Sequence, residues 1–280
     1  MAYISYLPSH PLSNYIYDLY YINGPAPYPR LKVFPMPVLH LILNLGDDFK
    51  WHRSGQPERD AICTESCWVG IWSQHYIVDW PPNVRFFGIH FKPGGAYPFL
   101  QFPLSELHNQ VVSLDAIWGE FAAEMRERIY AEPTIQAGLA LLERLLLVRL
   151  CKIPHGLDVV QYAVRDIFQR NGALSIRALS DHIGISQNHL GTQFKRIVGI
   201  LPKELARFYR FSHVLRSIDP AQPVDWAHLA QSSHFYDQSH FNKDFIEFTG
   251  YSPGDYLRRR RRVHAENPEQ AQNLGQMPID

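Results

Sequence analysis

DQSHFNKDFIEFTGYSPGDYL, residues 237–257, is the stretch whose reading decides the fold. Asp237 is placed to cap a helix, its carboxylate accepting the unpaired amides of the first turn. Phe241, Phe245 and Phe248 recur at helical spacing and make one apolar face. Gln238, Ser239, His240, Asn242 and Lys243 fall elsewhere. Gly250 suits the left-handed residue that ends a helix, and Pro253 forbids continuation. A short, anchored helix with a hydrogen-bonding outer face suits a groove. The same pattern also suits any buried amphipathic helix.

A second copy separates these readings. Residues 186–202, SQNHLGTQFKRIVGILP, repeat the pattern 51 positions earlier. Ser186 matches Asp237, His189 matches His240, Leu190 matches Phe241 and Phe194 matches Phe245. Gly199 matches Gly250, and Pro202 matches Pro253. Such a repeat means one supersecondary unit used twice. Each copy follows another short amphipathic helix, over 176–183 with Ser175 as cap and over 226–232 with Asp225 as cap. Gly184 permits the positive φ of a tight joint in the first copy. Helix, short turn and helix make a helix-turn-helix unit, whose second helix lies in the major groove. Residues 202–218 then read as one helix, with Leu205, Phe208, Leu215 and Ile218 inward, stiff enough to fix the two units.

Two such units, a connecting helix and the ending GYSPGDYLRR resemble the DNA-binding domain of AraC/XylS-type transcription regulators. The likeness covers about 159–262, and FYDQSHFNKDFIEFTGYSP carries it most specifically. Two positions depart from the pattern. His234 stands where the second turn usually has glycine, and Ser180 where the first helix usually has alanine. The resemblance implies that Asn188, Gly191, Thr192 and Lys195 face base edges in the first unit. In the second, Ser239, His240 and Lys243 do so. Asparagine pairs adenine, a threonine methyl touches thymine and lysine favours guanine. His189, Arg196, Gln238 and Asn242 complete the expected DNA-contact set, the last two at phosphates. Because histidine recurs in both copies, His189 and His240 also admit a packing role inside each unit.

Charge is distributed accordingly. The net is zero, but residues 1–154 carry −2, residues 155–262 carry +5 and residues 263–280 carry −3. The positive excess falls on the segment expected to meet phosphate. Five of its charges are the run Arg258 to Arg262, which reads either as a phosphate clamp or as a solvated helix end. The polar, acidic residues 263–280 are expected to be disordered.

Residues 1–152 are expected to form a β-rich domain closed by helices over 115–152. Residues 39–49, 67–72, 75–80 and 84–91 have strand character, with turns at Gly46-Asp47-Asp48 and Pro81-Pro82-Asn83. Gly94-Gly95 is a structural turn or an anion-binding turn. The helical stripe Leu139, Leu142, Leu146 and Leu150, with Leu141 and Leu145, either packs on the β domain or forms a homodimer seam. Residues 152–157 read as the linker to the double helix-turn-helix domain at 158–262. The fold class expected is therefore α+β with two domains, an N-terminal β-rich sandwich or barrel and a C-terminal all-α reader. VLHLILNLGD, GIHFKPGGA and VVSLDAIWG resemble the cupin-like sensor of one subgroup of the family. That implies a small-molecule effector, with Trp72, His75, Tyr76 and His90 as candidates in a cluster of aromatics and histidines.

Cys63, Cys67 and Cys151 make no disulfide framework. With no secretory signal they are expected as reduced thiols in the cytoplasm. Cys63, Cys67, His52 and His75 match no standard zinc spacing, and no cofactor is expected. The partners expected are double-stranded DNA, an effector, a second copy of the chain if the leucine stripe is a seam, and RNA polymerase if the protein is an activator; no membrane contact is expected. The alternative reading is a cupin-like metal-dependent enzyme with an accessory helical domain. It needs a histidine cluster, and His40, His52, His75 and His90 are singly placed.

Overall fold

The structure is a computed structural model that describes residues 1–53, 60–100, 102–150, 156–268 and 273–279. The linker assigned to 152–157 lies mostly outside these residues, as does Cys151. Two antiparallel sheets form the N-terminal part. The first has six strands in the order β1 (Ala2–Tyr6), β2 (Ile16–Asn23), β9 (Arg85–Phe91), β4 (Leu39–Asn44), β7 (Ser66–Val69) and β10 (Val111–Ser113). The second runs β11 (Gln276–Pro278), β3 (Arg30–Val33), β8 (Tyr76–Asp79), β5 (Phe49–Arg53) and β6 (Ala61–Cys63).

The central strands of the first sheet are buried on both faces, so their apolar residues do not alternate with polar ones. Tyr20, Ile22, Ile42, Cys67, Val69 and Phe86 face the second sheet and pack with Phe49, Trp51, Tyr76 and Val78. Leu19, Tyr21, Leu41, Leu43, Trp68, Phe87 and Ile89 face the other way, onto helices. The turn between β4 and β5 holds Gly46 so close to Asn83 that a Cβ would lie 2.3 Å from its carbonyl oxygen. Buried Asn44 pins the same turn by donating to the carbonyls of Asp47 and Thr64, at 2.9 Å each.

Helices close the outer face of the first sheet. After the short α1 (Tyr97–Leu100), the helices expected over 115–152 open with two, α2 (Leu114–Trp118) and α3 (Glu120–Tyr130). Gly119 separates them, at φ 57° and ψ −138°, outside helical geometry. Ser113 caps α2 and Thr134 caps α4 (Ile135–Arg149). Pro133 immediately precedes that second cap. Leu139, Leu141, Leu142, Leu145 and Leu146 are all at most 5% exposed within one chain. This stripe packs on the β domain, so it is not free to form a homodimer seam.

The remaining helices are α5 (Leu157–Gln169), α6 (Ile176–Ile183), α7 (Gln187–Ile197), α8 (Pro202–Arg216), α9 (Trp226–Ser232), α10 (Gln238–Thr249) and α11 (Pro253–Glu266). The apolar faces read from the sequence are the buried ones. Leu190, Phe194 and Ile197 of α7 are fully buried, as are Phe241, Phe245 and Phe248 of α10 to within 1%. Phe208 and Phe211 of α8 meet Phe248 and Phe245 edge-on or tilted, and Tyr256 of α11 meets Phe245 edge-on.

The tail departs from expectation. It is not disordered over 273–279: β11 pairs with β3 in the N-terminal sheet, Met277 is fully buried, and Phe34 N–H donates to the Gly275 carbonyl at 2.8 Å. Within the Arg258 to Arg262 run, Arg260 and Arg261 are taken up by main-chain carbonyls, while Arg258 and Arg262 stay exposed. Arg260 is 1% exposed and donates to Tyr256 Oη and to the carbonyls of Asn273, Leu274 and Gln276. Arg261 donates to the carbonyls of Pro220 and Gln222 in the loop before α9. Composition hides this, because a guanidinium can satisfy several main-chain carbonyls at once.

Candidate nucleic-acid interface

Both second helices begin with the side-chain cap expected. Ser186 Oγ accepts from His189 N–H at 3.2 Å, and Asp237 Oδ1 accepts from His240 N–H at 2.7 Å. Asn188, His189, Thr192 and Lys195 are exposed or half-exposed on α7, and Gln238, Ser239, His240 and Lys243 are exposed on α10. Arg196 and Asn242 are partly buried, and Arg196 lies over the Tyr97 ring at 5.6 Å. Arg196 therefore contacts the N-terminal domain, and its guanidinium is not simply presented to solvent. His240 sits between roles: its ring meets Phe235 edge-on at 5.6 Å and its Nε2 is 3.9 Å from Asp244. His189 is exposed in the matching position.

The repeat also exposes a residue that the apolar pattern left unassigned. Ile246 matches Lys195 at the 51-residue offset and is 48% exposed, beside Lys243 on the outer face of α10.

The second turn keeps its geometry despite His234. The residue sits at φ 59°, in the left-handed region that Gly184 occupies at φ 82° in the first unit. An L side chain there costs about 1–2 kcal/mol, which the following bond from Phe235 N–H to the Ala230 carbonyl at 3.0 Å helps to offset.

α8 ties the two units together through two arginines that sequence reading passed over. Arg207 donates to Asp244 Oδ1 at 2.9 Å and to Glu247 Oε2 at 2.9 Å, both on α10. Its guanidinium also lies 4.8 Å from the Phe248 ring centre. Arg210 donates to the Gly172 carbonyl before α6 at 3.2 Å and to the His234 carbonyl at 3.5 Å. The only sequence signal was their spacing of three on a helix, which puts both on one face.

The C-terminal ends of both second helices rest on the N-terminal domain. Gly94, which precedes α1, is a structural turn whose added Cβ would lie 3.2 Å from Ile197. A Cβ at Gly250 would lie 2.7 Å from the His75 ring. Lys32 caps the face of Tyr251 at 3.8 Å, Phe34 packs on Tyr256 at 5.9 Å, and Ser73 donates to Glu204 of α8. Burial, helped by the Lys32 charge, pushes His75 down to about 4. Both polar N-terminal ends thus point away from a shared support.

The effector candidates divide. Trp72 and Tyr76 line a narrow cavity between the sheets with Val33, Phe34, Met36, Val38, His40 and Gly70. Its volume is about 10 Å³, room for one water. Trp72 Nε1 is buried and has no hydrogen-bond partner among the described residues. His90 stands beside His40, ring centres 4.7 Å apart, and its Nδ1 bonds Asp18 at 2.6 Å. Burial opposes ionisation of Asp18, but hydrogen bonds from His90, Tyr3 and Ser5 outweigh it and hold the carboxyl below its usual range. Burial holds His40 well below the usual histidine range. His75 does not line the cavity; it lies against α10. The zinc grouping is not assembled either, since His52 is bonded to Asp60 and Asp79 and His75 lies elsewhere. Among the described residues no group of three or more His, Cys, Asp or Glu side chains is placed to hold a metal ion.

The fold and the exposed caps define a tandem helix-turn-helix DNA-binding protein. Residues 179–259 match a family described as a helix-turn-helix domain, and residues 4–113 match one described as a domain of unknown function, DUF6597. The C-terminal part is thus a helix-turn-helix domain of the AraC type, and the chain is a DNA-binding regulator. No curated protein sequence matches it. Among solved structures, the apo form of a ToxT point variant from Vibrio cholerae strain SCE256 is similar at a TM-score of 0.44 and 11% identity, over 86% of this chain and 96% of that one. Unsaturated fatty acid bound wild-type ToxT from the same strain gives 0.43 and 10%, over 85% and 93%. The AraC-like transcriptional activator CuxR gives 0.25 and 14%, over 77% and 86%.

Proposed function

We propose that the protein reads two adjacent major-groove segments with α7 and α10 and is not itself an enzyme. The observation that carries this is the shared mounting of the two helices: capped, polar N-terminal ends exposed, C-terminal ends seated on one support, and α8 bonded to both units. Asn188, Thr192 and Lys195 would meet bases in one segment, and Ser239, His240 and Lys243 in the next. Its place of work is then the cytoplasm with DNA; among the described residues no helix is long and apolar enough to cross a membrane. RNA polymerase is the further partner if the protein activates.

Lys243→Ala tests the assignment. It should cost about 1–3 kcal/mol on the preferred duplex and little on random DNA. An equal loss on both would make Lys243 a phosphate contact.

The N-terminal domain is proposed to bind a small molecule at the cavity lined by Trp72 and Tyr76. Adjacent residues support a coupling route. Val33 and Tyr76 line the cavity, while their neighbours Lys32 and His75 touch the end of α10 and Tyr251. An effector larger than one water must spread these walls, and so shifts the support under the second unit. A ligand changes an equilibrium only through such a difference between states. Thermal-shift screening of small acids, sugars and aromatics should yield a hit that Trp72→Ala abolishes. A hit that survives Trp72→Ala would place the effector elsewhere.

A further inference from the structure

The turn of the second unit is one residue longer than that of the first. In the first, Gly184 adopts the left-handed conformation, Ile185 N–H bonds back to the Ser180 carbonyl at 3.1 Å, and the cap Ser186 follows at once. In the second, His234 takes the left-handed place, Phe235 N–H bonds back to Ala230, and Tyr236 intervenes before the cap Asp237. Ile185 and Phe235 both turn inward. Tyr236 has no counterpart in the first unit, and it is 93% exposed.

Isolated exposed apolar side chains are common. Tyr236 stands apart by its position, immediately before the capped end of α10 and next to exposed Gln238 and Ser239. A ring almost wholly in water contributes little to the fold, and replacing it should leave thermal stability essentially unchanged. Its neighbour Asp237 is acidic, but that carboxylate already accepts from His240 N–H. The phenol O–H supplies a neutral donor at the same end. Tyrosine is a regular donor to phosphate oxygens and has no standard pairing with a base edge.

We propose that Tyr236 is a DNA-positioning residue whose phenol donates a hydrogen bond to a backbone phosphate flanking the segment read by α10. The proposal rests on α10 entering a major groove. It makes the second unit the one whose register is fixed by a contact that the first unit lacks.

The test uses the full chain, a duplex of about 30 base pairs recovered by that chain from a randomised pool, and a scrambled duplex. Tyr236→Phe removes only the hydroxyl. It should weaken both duplexes by the same factor, about tenfold or more, the lower end for one hydrogen bond to a charged group, with unchanged thermal stability. Single methylphosphonates placed along the second segment should include one that weakens the parent by a similar factor and leaves Tyr236→Phe unaffected. Parental affinity in Tyr236→Phe, or a loss confined to the recovered duplex, would overturn the proposal. A second-unit failure is separable: if Lys243→Ala also left both duplexes unaffected, α10 itself would be excluded from the groove.

Discussion

Arg207→Ala should destabilise the protein by about 3–5 kcal/mol, the range for leaving a buried charge without its partner. Asp244 is 6% exposed at its side chain; Arg207 is the cation bonded to it, with His240 at 3.9 Å and the Arg210 charge further off. Removing the guanidinium strands that carboxylate beneath α10 and releases Glu247 from α8. The effect should reach DNA binding, because the ion pair fixes the second reading helix on the connecting helix. Urea unfolding measures the first part, and titration of a two-segment duplex the second. Asp244→Asn in the Arg207→Ala background should return a large share of the lost stability, since the stranded group is then neutral. A loss below about 1 kcal/mol would assign the pair to the class of surface bridges and remove it from the account.

Arg260→Ala should cost about 3 kcal/mol, from several acceptors left without a donor at roughly 1 kcal/mol or more each. The guanidinium serves Tyr256 Oη and three tail carbonyls, and it is almost fully buried. Deleting residues 267–280 removes those carbonyls and β11 together, so it should cost at least as much. The two changes act on one network and should be far from additive. Combining them should add less than about 1 kcal/mol to the deletion alone. Additive losses would show that Arg260 and the tail stabilise the protein separately.

The reading units were legible because their information is local. Caps at Ser186 and Asp237, a helical apolar period and glycines at 184 and 250 all act within a few residues. β2 and β3 were hidden because their neighbours β9, β8 and β11 are distant in sequence. Tyr20, Tyr21 and Ile22 are buried on both sides and so lack the alternation that marks a half-exposed strand. The tail failed for the same reason in a stronger form: β11 pairs with residues about 245 positions earlier. Formal charge gave no hint that Arg260 would be buried, because its partners are main-chain carbonyls. At the site, the exposed set followed from helix faces. Arg196 and His75 did not, since each is claimed by a contact between the two domains that no local pattern encodes. The cluster of aromatics and histidines was real for Trp72 and Tyr76, which share a cavity, but His75 alternates to the opposite face of the strand edge.

The most direct measurement compares the affinity of one chain for a duplex carrying both major-groove segments, centred about 34 Å apart, with its affinity for either segment alone at matched length and salt. Two helices on one rigid mount predict that the double segment binds far more tightly than either single one. Adding about five base pairs between the segments, which turns one to the opposite side of the duplex, should remove the advantage. Equal affinity for the single and double segments, or indifference to that insertion, would contradict the account.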